Sequence, residues 1–165
     1  MSTASANLVP LIAPLPLKRL LADLRPFFIS LPPSHALFAH LTHLEMTGAS
    51  DSPTPEDMGI WSQLIRLPQL THLSFHESGF IPICSLLLQN CESLAVLVSF
   101  NLSSHSFYMT DLAQGPRFVL MSRGYYSLNA PQTGERDCWS RAEDFITQRR
   151  SEGIHALQYE LVVGF

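Results

Sequence analysis

Apolar residues recur in short phrases that are separated by longer and more polar stretches. Residues 41–46 read Leu-Thr-His-Leu-Glu-Met, and residues 70–75 repeat them closely as Leu-Thr-His-Leu-Ser-Phe. A looser copy begins at Leu94, and partial copies begin at Leu17 and Phe118. The first positions are 17, 41, 70, 94 and 118, which gives spacings of 24, 29, 24 and 24 residues. Three equal spacings out of four favour an internal repeat.

The phrase L-x-x-L-x-apolar is the strand signature of a leucine-rich repeat, and such repeats stack side by side into a solenoid. We therefore predict an α/β fold, a leucine-rich-repeat-like solenoid of about five repeats. Its parallel, curved sheet would carry helices on the convex side. The alternative is that a leucine-rich chain contains isolated L-x-x-L matches without any repeat.

The connections between the phrases carry helix signals. Thr54 can cap a helix that begins at Pro55, and the two acidic residues that follow suit the positive end of a helix. Residues 80–88 are almost wholly apolar and predict a buried helix. A longer helix is predicted from about 135 to 150, where the apolar residues Trp139, Ala142, Phe145 and Ile146 share one face.

This last helix is expected to cap the C-terminal end of the solenoid. No comparable cap precedes residue 17, so we expect the chain to be a fragment of a longer protein or a truncated gene product. The predicted organisation has four parts. They are an N-terminal tail over 1–16, the solenoid over 17–126, a loop and capping helix over 127–153, and an apolar β-prone tail over 154–165.

The tail from Leu157 to Phe165 has a largely period-two pattern, with an apolar side chain at every second position. Because a loose apolar strand promotes aggregation, the tail is expected to dock. It would lie either as an edge strand beside the strand that begins at Phe118, which we favour, or across the apolar surface near Val96 and Val98.

Composition narrows the functional classes. The 165 residues are 46% hydrophobic and 15% charged, which is typical of one folded domain rather than a disordered chain. A net charge of −4 argues against a nucleic-acid partner, which normally meets a basic surface. Three unpaired cysteines and the absence of a membrane-length apolar run favour an intracellular location, cytoplasmic or nuclear, without membrane contact.

The third and fifth positions of each repeat are predicted to point away from the leucine core, onto the concave face of the sheet. This face changes from polar to apolar along the solenoid, and its third positions would end with Leu120 beside Val96. Its apolar end would be covered by a partner or by the chain's own tail. The predicted contacts to a protein partner are Arg19, His43, Glu45, His72, Ser74, His76, Val96 and Val98.

The histidines raise the possibility of a metal site. His43 and His72 occupy equivalent repeat positions, so they should be neighbours about 4.8 Å apart on adjacent strands. A zinc site needs three or four ligands, and only Glu45 is expected nearby. No catalytic motif or phosphate-binding loop occurs, so we predict neither an enzyme nor a cofactor. Two alternatives stay open: a small metal- or Cys/His-dependent hydrolase, and a truncated gene fragment without a selected function.

Several phrases also resemble a known protein family. They are residues Leu37–Leu44, Leu67–Leu73, Cys91–Val98, Pro116–Val119 and Cys138–Ile146. Together they resemble the C-terminal part of fungal F-box-type leucine-rich-repeat proteins, which are mostly uncharacterised. The resemblance covers about residues 17–152 and is more specific for fold than for activity.

The resemblance implies a role in substrate binding, because F-box proteins recruit substrates to ubiquitin ligases. It implies a protein partner of unknown identity. No match to the F-box pattern occurs in these residues, and the expected F-box would lie upstream. The stretch from Ile154 to Phe165 departs from the family, which usually ends just after the basic helix.

Overall fold

One parallel sheet organises the chain. The computed structural model describes residues 10–12, 14–48, 54–76, 80–100, 112, 115–121 and 137–151, with the backbone of 160–161. The strands are β1 Arg19–Ala22, β2 His43–Met46, β3 His72–Phe75, β4 Val96–Phe100, β5 Phe118–Met121 and β6 Glu160–Leu161. They pair in parallel in the order in which they occur along the chain. The predicted α/β class with a parallel sheet is confirmed.

Helices fill the connections between the strands. They are α1 Arg25–Ser30, α2 Pro55–Trp61, α3 Ile81–Asn90 and α4 Cys138–Ser151, with 3-10 turns at Ala36–Phe38 and Ser62–Arg66. The first nine residues, the predicted loop over 127–134 and most of the tail over 154–165 lie outside the described residues. Within the described part, no helix is long and apolar enough to cross a bilayer.

The start of α2 is fixed by its sequence. The Thr54 hydroxyl accepts a hydrogen bond from the Asp57 amide, and the Asp57 carboxylate accepts one from the Thr54 amide. This capping box satisfies two amides that the helix leaves without partners. Pro55 occupies the first turn, where its missing N–H costs nothing.

The leucines of the repeated phrases pair in register. Leu20 lies beside Leu44, Leu44 beside Leu73, and Leu73 beside Leu97. The last three are at most 1% exposed and belong to a large apolar cluster between the sheet and α1, α2 and α3. The predicted register is therefore confirmed from β1 to β4.

The register of β5 differs from the prediction. Phe118 pairs with Leu97 and Val119 with Val98, so Leu120 lies beside Ser99 rather than beside Val96. Phe118 and Leu120 then join the cluster on the helix side of the sheet. The prediction that Leu120 continues the row of third positions was wrong. All four residues of β5 are apolar, and the bulky Phe118 fills the core beside Leu97 in this register.

A second apolar cluster lies on the opposite face of the sheet, which we call the α4 face. It joins four residues of α4, Cys138, Trp139, Ala142 and Ile146, to the sheet residues Val96, Val98, Phe100, Val119 and Met121. The prediction that this helix caps the end of the sheet was wrong. Its apolar stripe packs on the valine-rich face, and this contact removes apolar surface of both from water.

The tail closes the far edge of the sheet instead. Glu160 and Leu161 of β6 pair in parallel with Leu120 and Met121 of β5. The predicted edge strand is therefore confirmed at these two residues. At the other end, β1 pairs with β2 alone among the described residues.

Candidate functional site

The parallel register lines up side chains from distant parts of the chain in two rows on the α4 face. The first row contains Arg19, His43, His72 and Val96. The second row contains Leu21, Glu45, Ser74 and Val98. The structure therefore brings together on one face the predicted contact residues of β1 to β4, with His76 just beyond β3.

Two histidines form the centre of the first row. The rings of His43 and His72 are stacked, with centroids 4.1 Å apart and an angle of 2° between their planes. Each ring is held by the threonine before it: His43 Nδ1 lies 2.8 Å from Thr42 Oγ1, and His72 Nδ1 lies 2.8 Å from Thr71 Oγ1. The repeated Thr-His pair thus builds the same contact twice.

The threonine hydroxyls fix which ring nitrogen carries hydrogen. Thr71 Oγ1 lies 3.1 Å from the Thr42 carbonyl oxygen, to which it donates its single hydrogen. It must then accept from His72 Nδ1–H. Glu143 Oε1 lies 3.0 Å from His72 Nε2, and a carboxylate only accepts. Both ring nitrogens of His72 therefore lie within hydrogen-bond distance of an oxygen.

His43 is kept neutral by its surroundings. Burial, together with the nearby charges of His72 and Arg19, lowers its pKa to about 4, while Asp137 and Glu143 oppose the shift. One ring of the stack is thus a neutral imidazole. Two imidazolium rings at this separation would repel each other.

A second polar pair lies beside this stack. His76 Nε2 is 2.7 Å from Glu45 Oε1, and the His76 ring stacks on Phe100 at a centroid distance of 4.4 Å. Glu45 is 7% exposed, so its carboxylate depends on this partner. The pair connects β2 to β3 and borders the apolar cluster of the α4 face.

An acidic residue at the start of α4 forms an ion pair with a basic residue of the sheet. Asp137 Oδ2 lies 2.7 Å from Arg19 Nη1, while Asp137 Oδ1 accepts the Ser140 amide at the helix start. Although burial alone would raise the pKa of Asp137, the Ser140 amide and the Arg19 guanidinium lower it overall. The carboxylate thus caps the helix and binds the sheet at the same time.

Trp139 fits between the charged contacts. Its ring meets His43 edge to face at 5.0 Å, and the Arg19 guanidinium lies over it at 5.5 Å. An arginine over an indole adds a cation–π attraction to the apolar contact. The start of α4 therefore contacts the polar end of the rows, and its later turns contact the valines.

The C-terminal half of α4 is held by Arg149. Its guanidinium donates to the carbonyl oxygens of Phe118 at 3.3 Å and Gly115 at 3.2 Å. Burial lowers the pKa of Arg149, so the charged side chain is less well solvated here than in water. These bonds fix the last turns of α4 against the start of β5.

Because of α4, the predicted contact residues do not form an open surface. Ser74 and Val98 are fully buried, Val96 is 2% exposed and His72 is 8% exposed, whereas the Arg19 side chain is 54% exposed. Their contact with a partner stays a prediction, and it requires α4 to move.

Several residues of the site were not among the sequence predictions. Asp137, Trp139 and Glu143 supply the contacts from α4, and Thr42 and Thr71 orient the histidines. The repeated Thr-His pair was a usable signal for the threonines. The acidic residues of α4 had no comparable signal, because acids on an exposed helix face are common.

The site contains little that favours catalysis. Burial raises the pKa of the Cys138 thiol to about 12, and it also raises the pKa of Cys84. These thiols are protonated at neutral pH and are poor nucleophiles. In the described ranges, no group of three His, Cys, Asp or Glu side chains is arranged to hold a metal ion.

Comparisons with protein-family models, with curated proteins and with solved structures found no match to this chain. The resemblance to F-box-type leucine-rich-repeat proteins therefore stays a prediction.

Proposed function

We propose that this chain is a non-enzymatic protein–protein interaction module built as a leucine-rich-repeat-like solenoid. One observation carries the proposal. The register pairs Arg19 with His43, and His43 with His72, so that residues at corresponding positions of the sequence phrases form one row across β1 to β4. Such rows form an extended surface whose chemistry is varied one repeat at a time, as in other repeat proteins that bind partners.

The repeat interpretation is supported by agreement between sequence and geometry. Consecutive parallel strands follow the repeated phrases, and the leucine at the fourth position of each phrase lies in the core at Leu44, Leu73 and Leu97. Repeat architectures bury a continuous core by stacking units that share one pattern. The same pattern gives no reason to expect a catalytic centre.

We further propose that the partner is a substrate of a ubiquitin ligase, for which this module would act as the recognition part of an F-box-type adaptor. This narrower role rests on the sequence resemblance alone. The F-box would belong to sequence outside these 165 residues. The partner surface would be the α4 face and its open rim at β1.

Site-specific photo-crosslinking tests the interaction role. A photo-reactive residue replaces Leu21, which is 46% exposed at the rim of the α4 face, and in a second protein it replaces Ile29 of α1, which is 73% exposed. In extracts of the source cells, we expect a discrete adduct from position 21 and none from position 29. Equal labelling at both positions, or no adduct at position 21, would contradict the proposal.

A further inference from the structure

The packing of the molecule divides into two parts that share the sheet. The large cluster between the sheet and α1, α2 and α3 contains no residue of α4. The cluster on the α4 face consists of α4 residues and the sheet residues that they cover. The first part therefore has a complete apolar core without α4, and α4 forms a separate layer on top of it.

The contacts of this layer are a mixture of apolar packing and exposed ion pairs. Trp139, Ala142 and Ile146 are buried against the sheet. The ion pairs Arg19–Asp137 and His72–Glu143 each have one side chain that is 54% exposed. Exposed pairs of this kind contribute little because water and salt screen them.

The layer also leaves polar atoms unsatisfied. Trp139 Nε1 and Ser74 Oγ are buried and have no hydrogen-bond partner among the described residues. Unpaired buried polar atoms disfavour the packed state. Trp61 Nε1 and Ser99 Oγ also lack a partner within the part of the chain that the structure describes, but they lie in the part that keeps its core without α4. A different helix that leaves no polar atom unpaired in this contact would therefore pack on the sheet more favourably than α4 does.

We propose that α4 is an internal ligand of the α4 face, and that a partner protein exchanges with it by presenting an amphipathic helix of the same chemistry. This inference rests on the proposed function as an interaction module. The valines require apolar side chains in place of Trp139, Ala142 and Ile146. Arg19 and His72 require acidic side chains in place of Asp137 and Glu143.

The spacing of the partner helix follows from the spacing in α4. An acid caps the helix, an aromatic residue follows two positions later, and a second acid lies four positions after the aromatic, as in Asp137, Trp139 and Glu143. Apolar residues three and seven positions after the aromatic fall on the same helix face, where Ala142 and Ile146 lie. Exchange rather than simple opening is expected, because opening would expose the apolar sheet residues to water.

A peptide exchange assay tests this inference. The probe is a fluorescently labelled synthetic peptide of residues 137–151, added to the full chain while its anisotropy is measured. In the wild-type chain the probe competes with the chain's own α4, which has the advantage of tethering. A second chain carries Asp137→Asn and Glu143→Gln, which remove both ion pairs. This chain keeps the apolar stripe and a residue that can cap the helix.

We expect the probe to bind the variant chain with a Kd about 3- to 10-fold lower than for the wild-type chain, which is the range for two exposed ion pairs. A matched peptide with Trp139→Ala should bind neither chain measurably. Because Trp139→Ala is made in the peptide, its loss of binding cannot come from an unfolded protein.

Three results would overturn the inference. They are no probe binding to the variant chain, equal Kd values for the two chains, and equal binding of the Trp139→Ala peptide. The proposed function is judged separately by the position-specific adduct at Leu21. An adduct without probe exchange would contradict only the internal-ligand proposal, and exchange without an adduct would contradict only the interaction role.

Discussion

The two faces of the sheet are built in different ways. The face toward α1, α2 and α3 carries the leucines of the repeated sequence phrases and aromatic side chains. The rings of Trp61 and Phe80 lie 4.5 Å apart, and those of Phe75 and Phe80 lie 5.5 Å apart. The α4 face combines valines with stacked histidines and ion pairs. The first arrangement stabilises the fold, and the second contains the charged and polar groups from which recognition can be built.

This difference is graded along the sheet. Every residue of β4 and β5 is buried, whereas β1 alternates exposed and half-buried residues. A strand buried on both faces contributes little to a partner surface, so the rim at β1 and β2 is where access begins. Substitutions on the two faces are therefore expected to lower the free energy of unfolding by different amounts.

The largest effect is expected on the leucine face. Leu73→Asp would place a charge without a partner in the core, because Leu73 is 1% exposed. We expect a loss of several kcal/mol in the free energy of unfolding, about the whole stability of a marginal domain. Ile29→Asp, at a position that is 73% exposed, is the control and should change stability by less than about 0.5 kcal/mol. Denaturant unfolding measures both, and a stable Leu73→Asp chain would show that the strand register is wrong.

The next largest difference is expected between two buried isoleucines that pack on opposite faces of the sheet. Ile83 of α3 is 1% exposed and Ile146 of α4 is 4% exposed. We expect Ile83→Ala to lower the free energy of unfolding by about 2–4 kcal/mol, as for other buried isoleucines. Ile146→Ala should lower it less, because the loss cannot exceed the free energy with which α4 docks. Equal losses in denaturant unfolding would mean that α4 belongs to the same cooperative core.

Acid should weaken the α4 face selectively through His43. This ring faces Arg19 of β1, His72 of β3 and the acids Asp137 and Glu143 of α4. Its pKa is lowered to about 4 in the folded protein. The unfolded chain, with a pKa near 6.5, then binds more protons between these values. The stability from neutral His43 is complete above about pH 6.5 and is lost as the pH falls toward 4.

The loss should be about 1–2 kcal/mol, after allowing for the partial solvent exposure of the ring. Thermal unfolding at a series of pH values measures it. His43→Gln should flatten the profile in this range, and His40→Gln, at an exposed histidine, is the matched control. If the pH dependence of thermal unfolding were unchanged in His43→Gln, the stacked histidine pair would not be the cause of the loss of stability in acid.

The smallest effect is expected at the rim. Arg19→Gln removes the ion pair with Asp137 and the cation–π contact with Trp139. Since Arg19 is more than half exposed, we expect a loss of about 0.5–1 kcal/mol that shrinks as salt is added. Denaturant unfolding at low and high salt measures this change. A loss of more than about 2 kcal/mol would show that the rim stabilises the fold as strongly as the leucine face.

The sequence predicted the features that follow from periodicity. The leucine row and the neighbouring positions of His43 and His72 follow once each phrase is taken as a strand, because parallel strands in the same phase align equivalent residues. The edge strand followed from the alternating pattern of the tail. These features depend on the pattern of residues within each short segment and on the repetition of the phrases along the sequence.

Other features were out of reach because the sequence offers equivalent choices. Residues 118–121 are apolar at every position, so either face of β5 could turn to the helices, and the packing of Phe118 selected one. The apolar residues on one side of α4 predict that this helix packs on an apolar surface, but they do not identify which face of the sheet it covers. Asp137 and Glu143 contact Arg19 and His72, but these contacts can be recognised only when the position of α4 on the sheet is known.

Native-state hydrogen exchange measured by mass spectrometry tests most directly that α4 is a separate layer. The amides of α4 and of β3 are compared in the intact chain, with exchange converted to free energies of opening. We predict that α4 opens with a distinctly lower free energy than β3, and that Asp137→Asn with Glu143→Gln lowers the value for α4 alone. Identical opening free energies for α4 and β3, changed together by the double variant, would contradict the account.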